Sequence, residues 1–397
     1  MSLFKRKEST YQISSMKRTR IPVFHRFWGA SMLVALIIGF PFGSWIWAVL
    51  RGLADTATFY EELRWAHLNI QIFVFFGLYV AGFALQSGAH VLGGSPPKSE
   101  QVIWIFPLIL LGVLLKVLPV ANVHMAGNVI ITAGNLWLLY VMVVTALGGN
   151  KERLVPIGSL FFIGFSVFAA APWLDLNDPA QAFFVLWSGV FLIVLAAGQQ
   201  LIANVLGAKR FNQFQGVLFA LAALASVVTM GLTVFAGINL VQVTGIFMVL
   251  AIVLYISFLG VVPALIETGF TSLVMAFVFN FLWALIIAFS LIFVDPNWDF
   301  ILHILALGSI TTMIIAVGAR VLGFFSGKAA FSDGGLTLMV MVWQLVPLIR
   351  GGGQYFEFGG FSAALLILTV EVLFSLWAIL CFKRVLKVMN PDKVEEK

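Results

Sequence analysis

Residues Phe300–Phe324 read FILHILALGSITTMIIAVGARVLGF, with Arg320 near one end as the sole formal charge and His303 near the other. Wound as an α-helix at 1.5 Å per residue, such a stretch is about 37 Å long. That is more than the roughly 30 Å of hydrocarbon in a bilayer, and the stretch carries no polar face to offer water. It reads as a membrane-spanning helix. The rest of the chain repeats the pattern: 397 residues are 61% hydrophobic and only 10% charged, and the mean hydropathy is +1.05. That composition excludes a water-soluble globular domain.

Apolar stretches of spanning length fall at 27–50, 66–92, 102–122, 125–147, 154–173, 180–206, 214–237, 241–265, 270–294, 300–324, 335–349 and 359–382. The eleventh is short and contains Pro347, which predicts a tilted or broken helix. The expectation is an all-α, polytopic integral membrane protein of about twelve transmembrane helices. A basic cytoplasmic tail (1–26) precedes the membrane domain (27–385), and a second cytoplasmic tail (386–397) follows it. The first stretch exceeds a signal-peptide core and lacks a small-residue cleavage site, so it reads as a retained span.

Lys and Arg set the orientation. Lys5, Arg6, Lys7, Lys17, Arg18, Arg20 and Arg26 precede the first span, and alternate loops carry Lys98, Lys151, Arg153, Lys209, Arg210, Arg320 and Lys328. The C-terminal end adds Lys383, Arg384, Lys387 and Lys393. The opposite loops hold Asp55, Glu61, Glu62, Asp175, Asp178, Asp295 and Asp299, with only Arg51, Arg64 and Arg350 as bases. By the positive-inside rule both termini are cytoplasmic, and the expected location is a bacterial inner membrane. The net charge of +6 is thereby accounted for by topology; nucleic acid is not an expected partner, and the lipid bilayer is. Cys381 is the only cysteine, which excludes a disulfide framework and cysteine-based metal or iron–sulfur sites.

Topology brings three of the five histidines to similar depth. His67 and His303 stand just inside the outer ends of spans two and ten, which run in the same direction. His124 opens span four. Two imidazoles at one depth on separate helices, with an apolar slot between them, are what axial ligation of a haem iron requires. The alternative for both is a solvated helix start. His124 is a weaker candidate as a third ligand, perhaps to copper. Arg350 and Arg64 are basic residues on the side where bases are rare, and each is a candidate partner for haem propionates. His25 and His90 lie at the other face, where solvated roles are expected. Charges inside spans suggest function: Lys116 and Glu371 are candidates to pair or to form a proton or transport path. Gln199, Gln200, Asn204, Asn128 and Asn135 read as interhelical hydrogen-bond partners. Trp45, Trp47, Trp173 and Trp298 read as members of interfacial belts.

The stretch from His303 to Arg320, HILALGSITTMIIAVGAR, resembles the "HALTVGAxGTMxLAVMTR" segment of the NnrS family, haem- and copper-containing membrane proteins linked to nitric oxide metabolism. Trp65-Ala66-His67-Leu68-Asn69 through Ala81-Gly82-Phe83 is similar to that family's "WHAHEM...AGF", and Phe24-His25-Arg26-Phe27-Trp28 to its "FRPFF" start. The chain departs from the pattern where the family's His-x-His becomes His67-Leu68-Asn69, where the next Glu becomes Ile70, and where a Gly-Gly-Arg becomes Ala197-Gly198-Gln199. The plan also looks like the catalytic subunit of haem-copper oxidases, in which histidines on spans two and ten hold a low-spin haem. The further histidines that build a binuclear centre there have no counterpart in spans six and seven. The resemblance implies one haem b, doubtful copper, and a role in nitric oxide response or respiratory metal metabolism beside respiratory or denitrification membrane proteins. It does not imply a complete oxidase or reductase. Two other readings stand beside it: a secondary transporter using Lys116 and Glu371, and a cofactor-free structural subunit of a membrane complex.

Overall fold

Hydrocarbon offers no partner for a backbone N–H or C=O, so an apolar chain of this length has to satisfy those groups within its own helices. In the computed structural model every regular element among the described residues is helical. Those residues are 22–52, 59–118, 120–206, 209–269, 271–326, 331–355 and 359–389. Lys5, Arg6, Lys7, Lys17, Arg18, Arg20, Asp55, Lys328 and Lys393 lie outside them, as do the side chains of His25, Asn204, Arg320, Lys383, Arg384 and Lys387.

Ten helices among the described residues are long and apolar enough to cross a membrane. They are α1 (Arg26–Leu50), α2 (Tyr60–Leu92), α3 (Glu100–Val117), α4 (Asn122–Leu147), α5 (Lys151–Trp173), α6 (Pro179–Gln200), α7 (Gln213–Ala236), α8 (Val241–Leu259), α9 (Ser272–Phe293) and α10 (Trp298–Ala319). The chain is an all-helical polytopic membrane protein. Two helices, α11 (Asp333–Trp343) and α12 (Leu345–Tyr355), follow. The last, α13 (Gly359–Met389), contains the shorter apolar stretch Leu368–Phe382.

The second helix begins at Tyr60 rather than 66 and the third ends at Val117 rather than 122, and two further boundaries differ for a local reason. The eighth stretch stops at Leu259 rather than 265. Gly260 adopts a left-handed conformation (φ 61°) and its N–H caps the carbonyls of Ile256 and Ser257, a geometry that suits glycine. The eleventh breaks at Gln344 and then continues as α12 through Gly351, Gly352 and Gly353 to Tyr355. Pro347 has no N–H to give the carbonyl of Trp343, and its ring crowds that carbonyl. The Gln344 side chain fastens the break: its amide donates to Thr312 Oγ1 (3.0 Å) and Val340 O (2.9 Å), and its carbonyl accepts from Trp283 Nε1 (2.8 Å).

Most helices pack against their sequence neighbours, α3 on α4 and α7 on α8 most extensively. Burial shows which ones form the centre. In α2, α6 and α10, 83%, 78% and 72% of the most apolar window is covered by protein, against 22% in α1 and 33% in α3 and α8. Each of the three central helices contains a wide π-helical stretch, at Ile70–Leu78, Leu186–Phe191 and Ile304–Ile310, as do α1 at Ala35–Gly39 and α5 at Leu154–Gly158. Such turns are frequent at functional sites. Here two of them begin three residues or fewer after His67 and one residue after His303.

The α3–α4 seam depends on glycine. A Cβ at Gly127 would stand 2.7 Å from both Gly112 O and Lys116 N, backbone atoms that cannot yield. Gly127→Leu is therefore expected to lower the melting temperature of the detergent-solubilised protein, since overpacking costs about 1–3 kcal/mol even where side chains can adjust. Gly148→Ala, where the nearest atom is 3.4 Å away, is expected to leave it unchanged.

Candidate haem-binding cavity

The Arg350 end of the bundle holds a partly open cavity walled by α1, α2, α6, α10, α12 and α13. Its wall is mostly apolar, with Phe40, Ile72, Phe75, Phe76, Leu302 and Leu307 prominent. Into it come His67, His303 and Arg350, joined by Ser44, Trp47 and Gln71. Large apolar cavities with a few convergent polar groups are the usual form of a small-molecule site.

The two histidines are held in the same way. His67 Nδ1 lies 2.8 Å from the carbonyl of Gly39, and His303 Nδ1 lies 2.7 Å from the carbonyl of Asp299, one turn earlier in its own helix. A carbonyl can only accept, so each ring carries its proton on Nδ1 and leaves the Nε2 lone pair bare in the neutral form. No hydrogen bond engages either Nε2 among the described residues. This is the arrangement of metal-ligating histidines, whose far nitrogen is fixed by a carbonyl or carboxylate. Close packing fixes the His67 ring further: a Cβ at Gly43 would lie 2.6 Å from its Cε1.

Arg350 is 7% exposed. Its Nη2 donates to Asp299 Oδ2 at 2.8 Å, and the same carboxylate lies 3.3 Å from His303 Nδ1 through Oδ1. Asp299 thus sits between the guanidinium and the imidazole and orients both. Two cations lie over the Trp47 ring, Arg350 at 4.1 Å and Arg51 at 4.3 Å from its centroid. Three buried polar atoms of wall residues have no partner among the described residues: Arg350 Nη1 and Trp47 Nε1, both donors, and Gln71 Oε1, an acceptor. Each such atom costs about 1–3 kcal/mol unless something binds it, so the two donors favour a ligand with an anionic or hydrogen-bond-accepting group.

The other sequence candidates fall elsewhere. Arg64 Nη2 donates to the carbonyl of Asn177 at 2.8 Å and does not line the cavity. His124 Nε2 is engaged by the carbonyl of Leu118, beside Trp65. Lys116 and Glu371 do not pair. Lys116, 1% exposed, donates to Asn128 Oδ1 and Pro172 O, both at 2.6 Å, and lies 4.9 Å from the Trp65 ring. It ties α3 to α4 and α5. Glu371 Oε1 instead accepts from Ser44 Oγ at 2.9 Å. The interhelical amides behave as their chemistry suggests: Gln199 donates to Pro156 O and Asn135 to Phe168 O. Trp47 is 5% exposed and belongs to the cavity, unlike Trp45 and Trp173, each 49% exposed.

Ser44 and Gln71 are site residues that the sequence reading did not single out, and it placed Trp47 in an interfacial belt and Asp299 only among the loop acids. The i, i+4 spacing of Trp47 and Arg51 on one helix face was the available signal for the first cation–π pair. Among the described residues no three His, Cys, Asp or Glu side chains converge as a metal cluster. A second, smaller cavity lies deeper between α2, α6 and α10, lined by residues such as Tyr79, Phe83, Ile193 and Met313, with no histidine. No protein-family model and no curated protein matches the chain.

Proposed function

We propose that the chain binds one b-type haem in this cavity, with His67 and His303 as axial ligands and Arg350 against a propionate. The observation that carries the reading is the pair of Nδ1-anchored imidazoles with bare Nε2 atoms on the wall of one apolar cavity. Two imidazoles alone are a poor donor set for copper or zinc, which take three or four protein ligands. They suit a metal whose equatorial ligands arrive with it. The orphaned Nη1 of Arg350 supports a carboxylate beside it, and the apolar character of the walls suits the hydrocarbon face of a macrocycle. When bound, haem would supply one-electron redox chemistry.

On this reading α11 and α12 together form an eleventh span and α13 a twelfth, with both termini cytoplasmic in a bacterial inner membrane, as the distribution of Lys and Arg implies. The cavity then opens toward the outer face. The resemblance to the NnrS family supports a role in nitric oxide response or respiratory metal metabolism as an electron-transfer, sensing or accessory component. The absence of histidine from α6 and α7 argues against a binuclear reductase centre.

The test is a reduced-minus-oxidised spectrum of the detergent-purified protein with a pyridine haemochrome assay. Low-spin b-type bands at about one haem per chain are expected, and a protein that stays colourless after haem supplementation rules the reading out. Arg350→Leu is expected to weaken haem retention by roughly 10-fold, the equivalent of about 1.4 kcal/mol, and Arg350→Lys by less. Haem transfer to apomyoglobin measures both.

A further inference from the structure

Glu371 is a carboxylate within an apolar helix that the site described above does not use. On α13, Leu365, Leu368, Val372, Leu376 and Ile379 form the exposed stripe, while Val370, Phe374, Trp377 and Cys381 are buried. Glu371 stands on the boundary between the two stripes, half-buried, and its Oε1 accepts the Ser44 hydroxyl at 2.9 Å. Ser44 lines the cavity, and so does Val370, the residue before Glu371. One hydroxyl therefore separates this carboxyl from the cavity.

The charges that the neighbouring helices bring to the cavity end have partners of their own. α13 packs against α1, α10, α11 and α12. Their charged or titratable residues are His25 and Arg26 at the start of the first helix, Arg51 directly after it, Asp299 and His303 at the start of α10, Arg320 just after its end, Asp333 at the start of α11, and Arg350 and Tyr355 in α12. α13 itself adds Cys381, Lys383, Arg384 and Lys387. By chain position Arg51, Asp299, His303, Arg350 and Tyr355 belong to the cavity end of the bundle, where Asp299 engages both Arg350 and His303 and Arg51 lies over the Trp47 ring; the others belong to the opposite end.

We propose that Glu371, acting through Ser44, is the proton-exchanging group of the cavity, taking up one proton when the cofactor takes up one electron. The inference rests on the haem reading. An electron delivered by an external one-electron reductant adds a negative charge to a region of low dielectric, where it is poorly screened. A proton from water then forms an O–H bond on the Glu371 carboxylate, and the added charge is cancelled. Ser44, now facing a donor, turns from donating to accepting and swings its own O–H toward the cavity. Reoxidation reverses each step and releases the proton.

Spectroelectrochemical titration of the full-length haem-loaded protein tests this. The midpoint potential of the wild type is expected to fall by about 59 mV per pH unit over part of the pH range, the value for one proton per electron. Glu371→Gln is expected to abolish that slope. The redox-induced infrared difference spectrum is expected to contain a carboxyl C=O band that disappears in Glu371→Gln and shifts in Ser44→Ala. A pH-independent wild-type potential, or an unchanged slope and band in Glu371→Gln, overturns the proposal while leaving the haem reading intact. If Glu371→Gln does not fold, Ser44→Ala decides, because a band indifferent to Ser44 cannot come from this pair. A protein that binds no haem overturns both.

Discussion

Alanine in place of His67 or His303 yields protein that reaches the membrane but purifies with haem occupancy reduced by more than roughly 100-fold. Changing only the outer partners of metal ligands already costs about 10–100-fold, and here the ligand itself is removed. The expectation is sharpened by the anchors. Each ring is held at Nδ1 by a backbone carbonyl, Gly39 for His67 and Asp299 for His303, and both rings line the cavity wall. Removing the His67 ring costs its single bond to α1, and removing the His303 ring costs a long 3.5 Å contact with Arg350 Nη2, a guanidinium that keeps its bond to Asp299. Folding is therefore expected to survive, as read by size-exclusion profile and yield. Glycine at either position, supplied with free imidazole, is expected to regain the low-spin spectrum. His124→Ala is the control: its ring is engaged by Leu118 outside the cavity, and its loss is expected to leave haem in place. Full haem retention in both His67→Ala and His303→Ala would refute the ligand assignment.

What the sequence revealed about this site, and what it concealed, follows from the kind of interaction involved. Hydropathy alone announces membrane helices, because lipid acts on every residue of a span at once. That is why the boundaries of α5, α7 and α9 lie within a few residues of those read from the chain. His67 and His303 were legible together because parallel spans place equal sequence offsets at equal depth. Arg350 stood out because bases are rare in the loops of that side. The arrangement beyond these residues depends on contacts between distant segments. Arg64 lies closer in sequence to His67 than Arg350 does, yet it binds the Asn177 loop. Lys116 and Glu371 looked like a pair because both are charges in apolar helices, but each found a neutral partner on another helix. Trp47 sits where interfacial tryptophans sit, and only the inward turn of its face makes it part of the cavity.

Asp299 connects the parts of the site. It begins α10 one turn before His303, and the helix spacing of four residues carries the imidazole back over the backbone carbonyl of Asp299. The same residue's carboxylate meets Arg350 from the broken eleventh segment, 2.8 Å away. The break at Gln344 and Pro347 thus has a functional consequence, since it starts the new helix that carries Arg350 to this contact. A continuous helix through Gln344 would direct Arg350 along a different axis. The guanidinium then bridges a carboxylate, the Trp47 face and the empty side of the cavity, leaving Nη1 free for an anionic group.

The glycine that faces His67 gives the second large effect. Gly39 and Gly43 are four residues apart in α1 and so share one face. A Cβ on Gly39 would meet the amide end of Gln71 at 2.9 Å, whereas a Cβ on Gly43 would meet the His67 ring at Cε1 (2.6 Å), Nδ1 (3.2 Å) and Nε2 (3.3 Å). The two sites respond differently. Gln71 is a flexible side chain whose end can swing away. The His67 ring cannot retreat without giving up the 2.8 Å bond from Nδ1 to the Gly39 carbonyl, the bond that keeps Nε2 available as a ligand. Overpacking of this kind costs about 1–3 kcal/mol, and at position 43 that strain acts directly on the axial ligand. Gly43→Ala is therefore expected to weaken haem binding by about 5–150-fold, the same range expressed at 1.4 kcal/mol per tenfold. It is also expected to move part of the low-spin signal toward high spin, because the displaced ring holds iron poorly. Gly39→Ala is expected to keep the wild-type spectrum. Equal affinities and identical low-spin spectra for Gly43→Ala and the wild type would mean that the ring does not rest on Gly43 in the haem-loaded protein. In that case the cavity must rearrange around its cofactor, and the contacts of His67 with α1 cannot be what presents Nε2 to the iron.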